Sequence, residues 1–100
     1  MFFKSVDEKL KKIGFEKINE DKYGCRYCRH DDKYNYTQIV NIAPKANGEL
    51  LLWSYDADLF DNKKIGNTNV ALTIYEVKLF YKKMKELRRK RYGTYFTIWY

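Results

Sequence analysis

Two stretches and one side chain in this sequence carry residue types at spacings that could do chemistry. Cys25-Arg-Tyr-Cys28-Arg-His30 places two thiols and an imidazole within six residues, as one arm of a zinc site would. A closed structural zinc site takes four ligands, commonly from two such pairs, and the chain has two cysteines and one histidine in all. If 22–29 is a strand, side-chain alternation sends Cys25 and Cys28 to opposite faces. A redox Cys-x-x-Cys pair needs a helix N-terminus to lower the thiol pKa, and none is expected here. Asp56, Asp58 and Asp61 are spaced like the start of a calcium loop, but Asp61 stands where glycine is required and Asn67 where glutamate is. His30 lies beside Asp31 and Asp32 without a recognisable nucleophile partner, and no glycine motif that cradles phosphate is present. The expectation is a protein that is not an enzyme and holds no metal or cofactor.

Charge gives a stronger signal. Between Lys78 and Arg91 stand Lys78, Lys82, Lys83, Lys85, Arg88, Arg89, Lys90 and Arg91 against one acid, Glu86. That segment alone accounts for the formal net charge of +7, and the rest of the chain is balanced. At 100° per residue, Lys78, Lys82, Lys85 and Arg89 form one stripe, with Lys83 and Lys90 on the opposite flank. A solvated helix normally intersperses acids with its bases. Here the cations stand nearly alone, so the eight are read as a partner- or phosphate-binding set. Its target would be nucleic acid directly, through phosphate contacts that release counterions, or an acidic protein surface.

Local signals define the elements that must present this helix. Ser5-Val-Asp-Glu8 has the spacing of a capping box. Val6, Leu10 and Ile13 follow on one helical face, and Gly14-Phe15 suits a Schellman closure. From Phe15 to Tyr55 the period becomes two, predicting strands over 15–19, 22–29, 34–43 and 49–55. Asn47-Gly48 is a hairpin signal. The unbroken Leu50–Trp53 run predicts a strand covered on both sides. Residues 56–69 read as a loop. Thr73-Ile-Tyr-Glu76 is a second capping box, with Leu72 and Val77 placed for a hydrophobic staple. The expected apolar face of this second helix is Ile74, Val77, Phe80, Tyr81, Met84 and Leu87. Gly93 ends it, and the uncharged, aromatic 94–100 segment predicts a last strand, pairing within the sheet or across a homodimer.

One hundred residues predict a single domain over 1–100. The fold class is α+β: an antiparallel sheet of four or five strands in the order α-β-β-β-β-α-β, with both helices on one face and the other partly open. No apolar run reaches membrane-spanning length. The charged start lacks the apolar stretch of a signal peptide, and two cysteines make no disulfide framework. A cytoplasmic protein is expected.

The element order resembles that of double-stranded-RNA-binding domains. The phosphate clamp of that family lies at the start of its last helix, where this chain has the apolar or acidic Ile74–Val77. The stretches SVDEKLKKIGFEKI, YNYTQIV and ALTIYEVKLFYKKMKEL resemble small accessory proteins of phages and prophages of low-GC Gram-positive bacteria. That resemblance implies a non-enzymatic inhibitor of host defence, of the anti-CRISPR type. Being basic, the chain would grip guide RNA or an acidic effector surface rather than mimic DNA.

Overall fold

The structure, a computed structural model, describes residues 4–61 and 68–92. Seven elements follow in order: α1 (Val6–Lys12), β1 (Glu16–Asp21), β2 (Gly24–Asp31), β3 (Tyr36–Pro44), β4 (Leu50–Asp56), α2 (Ala57–Asp61) and α3 (Ile74–Tyr92). The strands form one antiparallel sheet in the order β1-β2-β3-β4. The fold is α+β, as the periodicities predict. The strand expected over 94–100 lies outside the described residues.

Both ends of α1 close as their residues dictate. The Ser5 hydroxyl accepts from the Glu8 amide at 3.1 Å while the Glu8 carboxylate reaches back to the Ser5 amide. At the other end the Phe15 amide donates to the Leu10 carbonyl and the Gly14 amide to that of Lys11. This is the Schellman pattern, and it sets Gly14 at φ +102. In the β3–β4 hairpin Gly48 takes φ +91, and Asn47 accepts from the Glu49 amide. The first hairpin turns later than expected, at Lys22-Tyr23, because Gly24 alone can approach β3 there. A Cβ on Gly24 would stand 1.9 Å from the Ile42 carbonyl oxygen.

Pairing register sorts the strand side chains into two faces. Cys25, Ile42 and Leu52 make one cross-strand row, and Tyr27, Val40 and Ser54 the next. These rows lie under the helices, where Leu10, Phe15, Leu79, Phe80 and Leu87 complete the core. Phe80 meets Phe15 and Tyr27 edge-on, with centroids 5.2 and 5.5 Å away. The opposite face carries Leu51 and Trp53, both exposed. The Leu50–Trp53 run is therefore covered on one side, not two: β4 alternates despite its unbroken apolar sequence.

Two further expectations need correction. Residues 56–69 are not wholly a loop, because Ala57–Asp61 is helical. Asp56 starts that helix, its Oδ1 accepting from the Asp58 and Leu59 amides. Farther on, the Asp56 amide donates to the Thr68 carbonyl and the Val70 amide to that of Ser54, so 68–70 lines the end of β4. The second correction concerns the face that α3 buries.

Candidate polyanion-binding face

α3 begins where its capping box predicts. Glu76 N–H donates to Thr73 Oγ1 at 3.1 Å, and the Thr73 amide donates to Glu76 Oε1 at 2.9 Å. The same glutamate also turns inward. Arg29 donates to Glu76 at 2.7 Å, to the Ile13 carbonyl at 3.2 Å and to Gln38 Oε1 at 3.0 Å, with its guanidinium 4.0 Å from the Phe15 ring centre. Gln38 passes the chain on to Ser54 at 2.8 Å. One arginine thus ties the end of α1, the start of α3 and the sheet together. Burial opposes ionisation of Glu76. The Thr73 amide and Arg29 outweigh it and hold the carboxyl below its ordinary value.

Two turns on, a lysine is buried in place of an apolar residue. Lys83 is 1% exposed. Its ammonium lies 2.6 Å from Glu20, 3.3 Å from Asp7 and 3.7 Å from Glu86. Lys17 bridges the same acids, 2.9 Å from Asp7 and 3.1 Å from Glu20, and the Tyr27 hydroxyl donates to the other Asp7 oxygen. A buried charge is tolerated only when paired and hydrogen-bonded in this way. Burial works against the charge on Lys83, but the hydrogen bond to Glu20 and the nearby acids prevail and raise its pKa. Lys17 is pushed up to about 12, chiefly by its hydrogen bond to Asp7. Asp7 sits below its ordinary value because hydrogen bonds from Tyr27 and Lys17, with Lys83 beside it, outweigh burial.

These polar anchors fix the rotation of α3. Its inward stripe is Glu76, Leu79, Phe80, Lys83 and Leu87. Ile74, Tyr81 and Val77, expected in the core, are instead 77%, 55% and 42% exposed. Lys83 correspondingly leaves the partner-binding set, since its three carboxylates occupy it inside the fold. The sequence did carry a trace of this: 76, 80, 83 and 87 share one helical face, with Phe80 and Leu87 on it.

The remaining cations stand outward. Lys78, Lys82, Lys85 and Arg89 are exposed along one stripe and form no ion pair among the described residues. Lys85 lies 4.9 Å from the centre of the Tyr81 ring. Arg88 is half-buried beside the stripe. The side chains of Lys90 and Arg91 lie outside the described residues. Ile74, Lys78, Tyr81 and Lys85 fall at successive turns along the outermost line of the helix, so apolar, aromatic and cationic groups alternate on it. Such a surface can offer phosphates or carboxylates charge-assisted hydrogen bonds while giving an apolar or ring surface something to rest on.

The other sequence candidates are placed as follows. Cys25 is buried under the helices and Cys28 is on the opposite face of the sheet. Burial pushes the Cys25 thiol up to about 11, away from the thiolate a metal or a disulfide exchange requires. His30 faces Thr37 at 3.3 Å and Asp32 at 3.7 Å on the exposed rim. Asp56 is engaged in capping α2. No described helix is long and apolar enough to cross a membrane. Compared with protein-family models, curated proteins and solved structures, the chain matches none.

Proposed function

We propose that this protein is a non-enzymatic interaction protein that uses the outward face of α3 to grip an anionic surface of a host nucleic-acid-processing complex, inhibiting it in the manner of a phage-encoded anti-CRISPR protein. The carrying observation is the outward stripe of Lys78, Lys82, Lys85 and Arg89, without an ion pair among the described residues and set among the exposed Ile74, Val77 and Tyr81. Contacts to a duplex phosphate backbone need only the cations. Exposed apolar and aromatic groups beside them are what the centre of a protein interface uses. The resemblance of three stretches to phage accessory proteins supports the setting, and the cytoplasm of the host would be its location. A second reading, direct binding of RNA or DNA for regulation, draws on the same stripe, with Tyr81 as a stacking surface.

Capture of partners from a lysate of a low-GC Gram-positive host, with and without nuclease, separates the two. Inhibition of a complex predicts a protein set that survives nuclease and is lost with the variant in which Lys78, Lys82, Lys85 and Arg89 are all glutamate. Direct nucleic-acid binding predicts loss on nuclease treatment, and a log–log salt slope of about −3 to −5 for an oligonucleotide. Equal capture by the protein and the four-glutamate variant would contradict both readings.

A further inference from the structure

The β4 edge adds a second feature to this side of the molecule. Val70 N–H donates to the Ser54 carbonyl and Asp56 N–H to the Thr68 carbonyl, so the backbone of even-numbered β4 residues points away from β3. By the two-residue period of an antiparallel ladder, the N–H and C=O of Leu50 and Leu52 point the same way. Among the described residues no backbone group pairs with them. Beside this stretch lies a groove of about 260 Å³, lined by Glu49, Leu50, Tyr81, Met84, Lys85 and Arg88. An unpaired row of backbone donors and acceptors is a template for one more strand.

We propose that the β4 edge at Leu50–Leu52, with the groove between it and α3, takes up an extended acidic peptide segment of a protein partner. Leu50, Tyr81 and Met84 provide an apolar surface for every second side chain of an added strand. Lys85 and Arg88 outnumber Glu49 at the groove and select acidic residues beside those apolar ones. The backbone bonds supply affinity and the alternating pockets specificity. The inference rests on the reading of this chain as a protein-binding protein, but it uses the flank of α3 away from Lys78 and Lys82.

The test selects dodecapeptides from a random displayed library on the intact protein, then follows amide hydrogen exchange at Leu50 and Leu52. Expected are acidic peptides with alternating apolar residues, at least about tenfold slower exchange of both amides at saturation, and at least about tenfold weaker binding to the Tyr81→Ser/Arg88→Glu variant. Lys78→Glu/Lys82→Glu should weaken the same peptides by no more than about threefold, since rim charges contribute little. Failure of the α3 stripe to bind any complex would therefore leave this result standing or falling by itself. Three outcomes overturn the proposal: Leu50 and Leu52 amides already as protected as those of Val40 and Ile42 in the free protein, which would mean that the chain or a second copy covers the edge; no enriched peptide; or enriched peptides that neither slow these amides nor respond to the groove variant.

Discussion

Lys82 and Lys83 are adjacent in sequence and opposite in role. Lys83 is enclosed by Glu20, Asp7 and Glu86 and holds α3 to α1 and β1. Lys82, one residue earlier, is exposed and has no carboxylate partner among the described residues. The same side-chain chemistry is structural where three acids surround it and available where none does. Rotation of α3 decides which lysine has which role, and the two inward acid–base clusters fix that rotation. A run of basic residues is therefore not one feature: its members are separated by where their counter-charges lie.

The comparison can be broken most severely at Lys83. Lys83→Ala removes the cation and leaves Asp7 and Glu20 facing each other with only Lys17 between them. Losing one partner of a buried ion pair costs about 3 kcal/mol. For a domain of this size the melting temperature should fall by about 10 °C or more. Calorimetry checks this, and a change of less than about 2 °C would show that Lys83 is not an anchor.

Arg29→Ala should cost somewhat less, about 2 kcal/mol, because Glu76 keeps its bonds to Thr73 while Gln38 and the Ile13 carbonyl each lose a donor. Amide exchange should quicken first at the end of α1 and the first turn of α3, where the arginine acts. Uniform quickening across the sheet would mean that the arginine supports the whole core rather than the joint between the helices.

Acid sharpens the same contrast. Asp7 and Glu76 have folded pKa values below their unfolded ones. Their contribution is complete above the unfolded values and is lost as pH falls through the folded values, below about pH 4. Lys17 is shifted upward, so its contribution is present below its unfolded value and lost only as pH rises through about 12. Urea unfolding should show stability falling below about pH 4, and in Asp7→Asn the acid step should shrink. An unaltered step in that variant would remove Asp7 from the account.

Much of this fold was legible because its signals are local. The Ser5–Glu8 and Thr73–Glu76 capping boxes, the Gly14-Phe15 closure and the Asn47-Gly48 turn each depend on residues within five positions, and all four formed as written. What could not be read depends on distant partners. Whether Lys83 faces in or out is decided by Asp7 and Glu20, which arrive from α1 and β1. The inward turn of Glu76 needs Arg29 from β2, and with it Ile74, Val77 and Tyr81 pass from the expected core to the surface. The same distance dependence explains β4: Leu51 and Trp53 are apolar, but they lie on the face away from the helices that pack over Leu50 and Leu52, and both stay exposed. In α2, five residues are too few for a helical period to stand out from the loop around them. Of the candidate site, the outward stripe was legible from the charge run, and the removal of Lys83 from it was not.

The smallest expected effect on stability belongs to the stripe, and it bears most directly on the central claim that α3 divides its cations between anchoring and binding. The measurement is made on the variant with Lys78, Lys82, Lys85 and Arg89 all changed to glutamate, recording melting temperature and capture of nuclease-resistant partners from a low-GC Gram-positive lysate together. The account predicts a melting temperature within about 3 °C of the parent, because exposed charges contribute little to stability, and loss of capture. Retained capture, or a collapse in melting temperature comparable to that of Lys83→Ala, would contradict it.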